Sequence, residues 1–417
     1  MRPQFRLSLF VWLAWGLFGR DDTGGGAEPA LGPLKPPAQA LRWLGRQKGR
    51  VSPRDAELLR RAQETLYANI LDGQWRPLRG ICPSPFRYRG VWNWDAAFHA
   101  LALCRWDTEL AREQVRIFLD RQLPSGGFID VIWEKEGLVD AFGKPPVLPW
   151  VCAIMDRRRP DLGYVKEVYP KFAANARFWE RERRGTGEGL FHYGGSTPNC
   201  EAGWDDSVRW DEGCENLWTI DLNCYMVMAY RALAYMARRQ SLSEAEQEWR
   251  AKADALGRRI NEELWDQSAK AYADRNRATK RFSPVLTPAS FMPLYVAIAP
   301  PERAKAMHEL ARDPNKFFPG FPCVAYDNPN YRSHAYWRGP TWVNINYFAL
   351  KGLKRYGFDH TAQACRDQLL AWCRQNRDHL WEYYDSKSGK GEGIHQYGWT
   401  AAFVIEFIVN WDAVEDP

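Results

Sequence analysis

Apolar residues along most of this chain recur with the period of a helix, and hardly anywhere with the period of a strand. The spacing predicts helices over about 52–71, 94–105, 107–121, 146–157, 164–183, 214–239, 243–265, 288–299, 301–312, 340–356, 359–376 and 397–411. Ser52-Pro53 is a start signal, a capping hydroxyl before a first-turn proline, and Asp72-Gly73 is a stop. Some connections are short. Others are long, aromatic and acidic, and they echo one another: Gly127-Phe128-Ile129-Asp130, Leu190-Phe191-His192-Tyr193, Ala271-Tyr272-Ala273-Asp274, Val324-Ala325-Tyr326-Asp327 and Glu382-Tyr383-Tyr384-Asp385. The step between echoes is roughly 50–80 residues, about one helical hairpin plus its loop. Six hairpins closing into a ring make an (α/α)6 barrel, an all-α fold whose long loops form the mouth. An open solenoid would use shorter and more regular repeats. Loops this long inside a compact domain are usually functional.

Composition narrows the function classes. Hydrophobic residues are 45% of the 417 and charged residues 26%, which excludes a largely disordered chain. The net charge of +6 gathers into no basic face, so nucleic acid is not an expected partner. The chain carries 21 Trp, 18 Tyr and 20 Phe. Aromatics on that scale either pack the core or stack against sugars or isoprenoids.

Residues 1–19 read as an export signal or an N-terminal anchor. Arg2 and Arg6 precede the apolar run Leu7 to Phe18, and Ala14 and Gly16 offer a small-residue cleavage site. The run is short against the roughly 20 residues of a membrane span. Residues 20–45, rich in Gly and Pro, read as a flexible linker, and 46–417 as the barrel domain. The protein is therefore expected outside the cytoplasm, periplasmic or secreted. Export permits disulfides; of nine Cys, Cys200 and Cys214 flank an acidic loop and could pair. The sequence has no C-x-x-C or H-E-x-x-H zinc motif.

Four constellations carry candidate chemistry. In the first, Trp92-Asn93-Trp94-Asp95 opens a helix. Asp95 could cap it, and it could equally bind sugar hydroxyls beside two indole faces. The second, Glu201-Ala202-Gly203-Trp204-Asp205-Asp206-Ser207-Val208-Arg209-Trp210, lies in a long loop. Carboxyls beside indole rings are candidates for a raised pKa, and so for a proton donor; the alternative is a solvated acidic loop. The third, Tyr336-Trp337-Arg338-Gly339-Pro340-Thr341-Trp342, starts a helix and would project aromatics at one mouth of the barrel. In the fourth, Glu382 sits among Trp381, Tyr383 and Tyr384, with Tyr397-Gly398-Trp399-Thr400 following. A base that activates water suits that position.

The ordered set WNWDAAFHA, EAGWDDSVRW, YWRGPTW, EYYD and a late GWTAA resembles glycoside hydrolase family 63 and its relatives, in particular the small mannosylglycerate hydrolase-like type, over residues 88–402. Trehalases share the GWD-S–RW pattern, but their PGGRF and QWD-P-GW stretches are missing. The resemblance implies an inverting α-glycosidase acting on an α-glucoside or α-mannoside, with a small or anionic aglycone such as glycerate. It makes Asp205 the general acid and Glu382 the general base, about 6.5–9.5 Å apart to admit a water. It places Tyr88, Trp92, Trp94, Asp95, Trp204, Tyr336, Trp337, Gly339 and Trp342 around the substrate, with Asp206 in support of Asp205. It implies no metal or organic cofactor and no partner beyond an oligosaccharide or small glycoside.

One departure stands out: Lys144 precedes the paired prolines where many relatives carry Gln. It could favour an anionic aglycone, or point to solvent. Competing readings are a noncatalytic carbohydrate-binding barrel, a trehalase-like or other glycan hydrolase, and a polysaccharide lyase. A terpene-type cyclase would need an acidic metal cluster, and Asp205-Asp206 is followed by Ser-Val-Arg instead.

Overall fold

Two kinds of helix alternate along the chain, and their burial tells them apart. The computed structural model describes residues 35–413 apart from 74, 136–138, 141–142, 186 and 188. Segment 1–19 and the first part of 20–45 lie outside the described residues. In chain order the helices are α1 Ala38–Gln47, α2 Pro53–Ala68, α3 Asn93–Leu103, α4 Thr108–Leu119, α5 Leu148–Arg158, α6 Leu162–Arg183, α7 Pro198–Ala202, α8 Ile220–Arg239, α9 Ser243–Glu263, α10 Met292–Tyr295, α11 Pro301–Arg312, α12 Val343–Arg355, α13 Asp359–Gln375 and α14 Gly398–Val409. Every residue of α3 is buried, as is α14 from Gly398 to Phe407. Both are apolar nearly all round, as a helix must be when it has neighbours on every side. On α9 only Trp249, Ala253, Leu256, Gly257 and Ile260 are buried, one stripe of an amphipathic outer helix.

The inner helices close a ring. Helix α3 packs on α5, α5 on α8, and α8 on the short α10 with its leading turn Pro288–Phe291; α10 packs on α12, α12 on α14, and α14 returns to α3. Helices α2, α4, α6, α9, α11 and α13 lie outside, which completes the (α/α)6 barrel. Glu406, wholly buried on α14, fixes the ring by accepting from both Arg105 and Arg158. The two guanidinium groups hold its carboxyl down at about 2 despite burial. Each long connection enters an inner helix at its N-terminus, so these loops share one end of the barrel. Short antiparallel pairs brace them: Gly90–Trp92 with Val131–Trp133, and Trp381–Tyr384 with Gly391–His395. Thr341 and Tyr384 exchange both backbone hydrogen bonds, at 2.8 and 3.0 Å, joining two mouth loops directly.

The structure departs from the sequence reading in four places. Residues 38–47, assigned mostly to the linker, form α1, because Ala40, Trp43 and Leu44 bury a face against the barrel. The helix expected from 214 starts at Ile220, since Leu217–Trp218 instead pairs with Arg275–Asn276. The segment 288–299 is a 3-10 turn plus one helical turn. Cys200 and Cys214 are unbridged, as are the other seven cysteines. Eight of the nine are buried and act as small apolar residues.

Candidate active site

Glycines decide how close the two key carboxyls come to the barrel axis. Helix α7 stops at Gly203, whose φ of +76° suits glycine, and a Cβ there would lie 2.6 Å from the Trp94 ring. The turn Trp204-Asp205-Asp206 is thereby laid against the indole that opens α3. Asp205 accepts from the Tyr336 hydroxyl at 3.1 Å, and its backbone carbonyl is held by Asn199 at 2.6 Å. Across the mouth, Gly393 has a φ of +75° and would place a Cβ 2.5 Å from Glu382 Oε2. Only glycine leaves room for that carboxylate, which accepts from the Ile394 amide at 3.1 Å and from the Tyr88 hydroxyl at 3.2 Å. Each tyrosine hydroxyl thus donates its one proton to one of the two carboxylates. Glu382 with Tyr88 and Asp205 with Tyr336 therefore form two hydrogen-bonded pairs, near enough for each carboxyl to feel the other's charge.

Both carboxyls hold their protons more tightly than usual. Burial raises Asp205, against the opposing pull of Lys144 and Tyr336. Burial raises Glu382 to about 8, against the Ile394 amide and Tyr88.

One wall of the site is built on α3. Asp95 is 1% exposed, and its Oδ1 has no hydrogen-bond partner among the described residues. It does not cap α3, whose N-cap is Trp92. Burial raises its pKa and Lys144 opposes that. Trp94 meets Trp399 edge-on at 5.4 Å. Trp92 is half-buried and meets both Tyr88 and Trp133 edge-on, at 5.7 and 4.7 Å. Lys144 does not point to solvent: it is 8% exposed, donates to the Cys200 carbonyl, pairs with Asp130 at 3.5 Å and lies 5.7 Å from the Trp94 ring centre.

Other residues expected around substrate pack closely on one another beside these loops. Trp204, Trp337 and Trp342 are fully buried and stacked, at 5.1 Å for the first pair and 3.7 Å for the second. Tyr383 continues the row 4.5 Å from Trp342. Gly339 packs a loop: a Cβ there would lie 2.1 Å from the Arg332 carbonyl oxygen. Asp206 accepts from the Trp337 amide at 2.9 Å, tying its loop to the loop that carries Tyr336.

Sequence reasoning quoted Arg209 within its motif but gave it no task. Its guanidinium is fully buried, forks to Asp221 and Asp274 at 2.8 Å each, and lies 4.8 Å from the Trp204 ring centre. Asp274 ends one of the repeated loop echoes, a signal that pointed to its position and not to its partner. Removing one member of such a buried network leaves uncompensated charge. Arg209→Met is therefore expected to lower stability by about 3–5 kcal/mol, measured by denaturant unfolding. Glu201, held by Arg183 in a bidentate pair, and Tyr397 were likewise missed.

Among the described residues no group of three or more His, Cys, Asp or Glu side chains is placed to hold a metal ion. The arrangement offers two buried carboxyls, each held by a tyrosine hydroxyl, beside an indole wall carrying a buried aspartate. Residues 88–400 match the mannosylglycerate hydrolase MGH1-like glycoside hydrolase domain. The chain is 24% identical to the mannosylglycerate hydrolase of Rubrobacter radiotolerans over 431 residues, spanning 82% of this chain and 95% of that relative. It is 25% identical to mannosylglycerate hydrolase MGH1 of Selaginella moellendorffii, over 85% of this chain and 86% of the relative. Its fold superposes on the GH63 mannosylglycerate hydrolase from Thermus thermophilus, solved with Tris and D-glycerate, with a TM-score of 0.73 at 22% identity, covering 84% of this chain and 99% of the other.

Proposed function

Because the chain belongs to the mannosylglycerate hydrolase MGH1-like glycoside hydrolase family, we propose that it is an inverting glycosidase for an α-mannoside or α-glucoside with a small aglycone such as glycerate. The observation that carries this reading is the pairing of two buried carboxyls in one site, Glu382 held by the Tyr88 hydroxyl and Asp205 by the Tyr336 hydroxyl. Two carboxyls on opposite loops, sharing one site and differing in surroundings, suit an acid and a base. Protonated Asp205 donates to the glycosidic oxygen as the bond to the anomeric carbon breaks. Ionised Glu382 takes a proton from a water that attacks the opposite face of the ring. Tyr88 and Tyr336 orient the two carboxyls, and Asp95 and Trp94 hold the sugar. The substrate class follows the named activity of the relatives and the D-glycerate found with the Thermus enzyme. Segment 1–19 is proposed to direct export, on the strength of its basic start and apolar run.

The test is NMR of the sugar first released from a panel of α-mannosides, α-glucosides and their glycerate conjugates. The β-anomer is expected first. First release of the α-anomer would overturn the role of Glu382, and no turnover of any member would overturn the substrate class. The pH profile provides a second check. The productive form holds one proton on Asp205 with Glu382 ionised, whereas burial favours that proton on Glu382; kcat/KM should therefore rise as the coupled pair loses its first proton and fall near pH 8 as it loses its last. A profile still rising at pH 9 contradicts this.

A further inference from the structure

We propose that Lys144 is a positioning residue, which clamps the loop carrying Asp205 onto the sugar-side wall and does not receive the aglycone. The proposal rests on the hydrolase reading above. Its starting point is the backbone. Gly143, with a φ of +81°, precedes Lys144, and Pro145-Pro146 follow, which confines the lysine to an extended conformation. The stem thus enters the site in a preset direction. An ammonium group has three N–H donors. One meets the carbonyl of Cys200, within α7, which leads directly into the Gly203-Trp204-Asp205 turn. Another faces Asp130, whose backbone carbonyl accepts from Asn93 at the first residue of α3. One side chain therefore ties the acid-bearing loop to the start of the helix that presents Trp94 and Asp95.

Charge argues the same way. The groups facing the ammonium are Asp130, Asp205, Asp95, Glu201 and the Cys200 thiol. Glu201 is matched by Arg183. Burial favours the neutral forms of Asp95 and Asp205, so the charge the ammonium answers at close range is Asp130. An aglycone carboxylate approaching Lys144 would find the ammonium already engaged by Asp130 and the Cys200 carbonyl. Lys144 compensates a carboxylate already in the site, and selection for an anionic aglycone must come from elsewhere.

The experiment compares wild type, Lys144→Gln, Asp130→Asn and the double variant in full-length protein. Three readouts are taken: thermal unfolding, the pH optimum, and the ratio of kcat/KM for α-mannosylglycerate over methyl α-mannoside. Lys144→Gln should lower the unfolding midpoint by a few degrees, and adding Asp130→Asn should restore most of it, since neutralising both partners strands no charge. Loss of the cation should move the pH optimum up, because Asp205 then keeps its proton longer. Both substrates should lose rate together, with the ratio changed less than about twofold. A loss of tenfold or more confined to the glycerate conjugate would overturn the proposal and make Lys144 an aglycone receptor. If wild type hydrolyses neither substrate, the hydrolase reading fails on its own. The unfolding cycle still decides the clamp, and purely additive losses would sink it.

Discussion

Glu382→Gln is expected to lower kcat about 10²–10⁴-fold while leaving the fold intact, the range typical for removing a positioned general base. The amide has the shape of the carboxyl. It can still accept from the Ile394 amide and meet the Tyr88 hydroxyl, so the hairpin of Trp381–Tyr384 with Gly391–His395 keeps its contacts. The amide cannot accept a proton from water. The variant should also change stability in a pH-dependent way. Burial raises the native Glu382 value from 4.5 to about 8. Between those values the folded protein binds a proton that the unfolded chain releases, so wild-type stability falls as pH rises through that window. A glutamine carries no such dependence. The variant should therefore gain in unfolding midpoint on wild type at pH 8 and gain least near pH 4. Equal midpoints for the two proteins at pH 8 would mean that Glu382 is already comfortably ionised there, and the alkaline limit of kcat/KM would need another owner.

Helices and catalytic loops were far more legible in the sequence than the packing between them. Periodicity placed the helical segments because burial against a barrel core acts on each helix separately: α9 shows its stripe, α14 its apolar circumference, and neither needs its partners to be recognised. Asp205 and Glu382 stood out in the sequence because a carboxyl surrounded by aromatic residues is unusual in any loop, and the structure brings the two into one buried site. Tertiary choices were not local enough to read. Trp204, Trp337 and Trp342 stack on one another, and no single-loop pattern tells such a stack from a sugar platform. The direction of Lys144 depends on Cys200, more than fifty residues away. Residues 38–47 look like linker until Trp43 finds Trp106 at 4.7 Å. Arg209 was visible as a letter of a motif, but its value lies in Asp221 and Asp274, which the chain brings from two later elements.

Asp205→Asn should distinguish itself from the base variant by how its loss depends on the leaving group. The asparagine cannot donate a proton to the glycosidic oxygen, so hydrolysis of a methyl glycoside or a glycerate conjugate should fall about 10²–10⁴-fold. A 2,4-dinitrophenyl glycoside departs as a stable phenolate and needs no proton. For that substrate the variant should keep most of the wild-type kcat, while Glu382→Gln should remain slow, because water must still be deprotonated. The structure makes the comparison clean. The Asp205 carboxyl is held by the Tyr336 hydroxyl, which can donate to an amide oxygen as readily as to a carboxylate. The neighbouring Asp206 is engaged elsewhere, its Oδ1 held on the Trp337 amide. Asp206→Asn should accordingly leave the wild-type response to the leaving group unchanged and act through stability of the two loops it joins. If Asp205→Asn slowed the dinitrophenyl and methyl glycosides equally, Asp205 would be holding substrate rather than donating a proton, and Asp206 would have to be tested as the acid in its place.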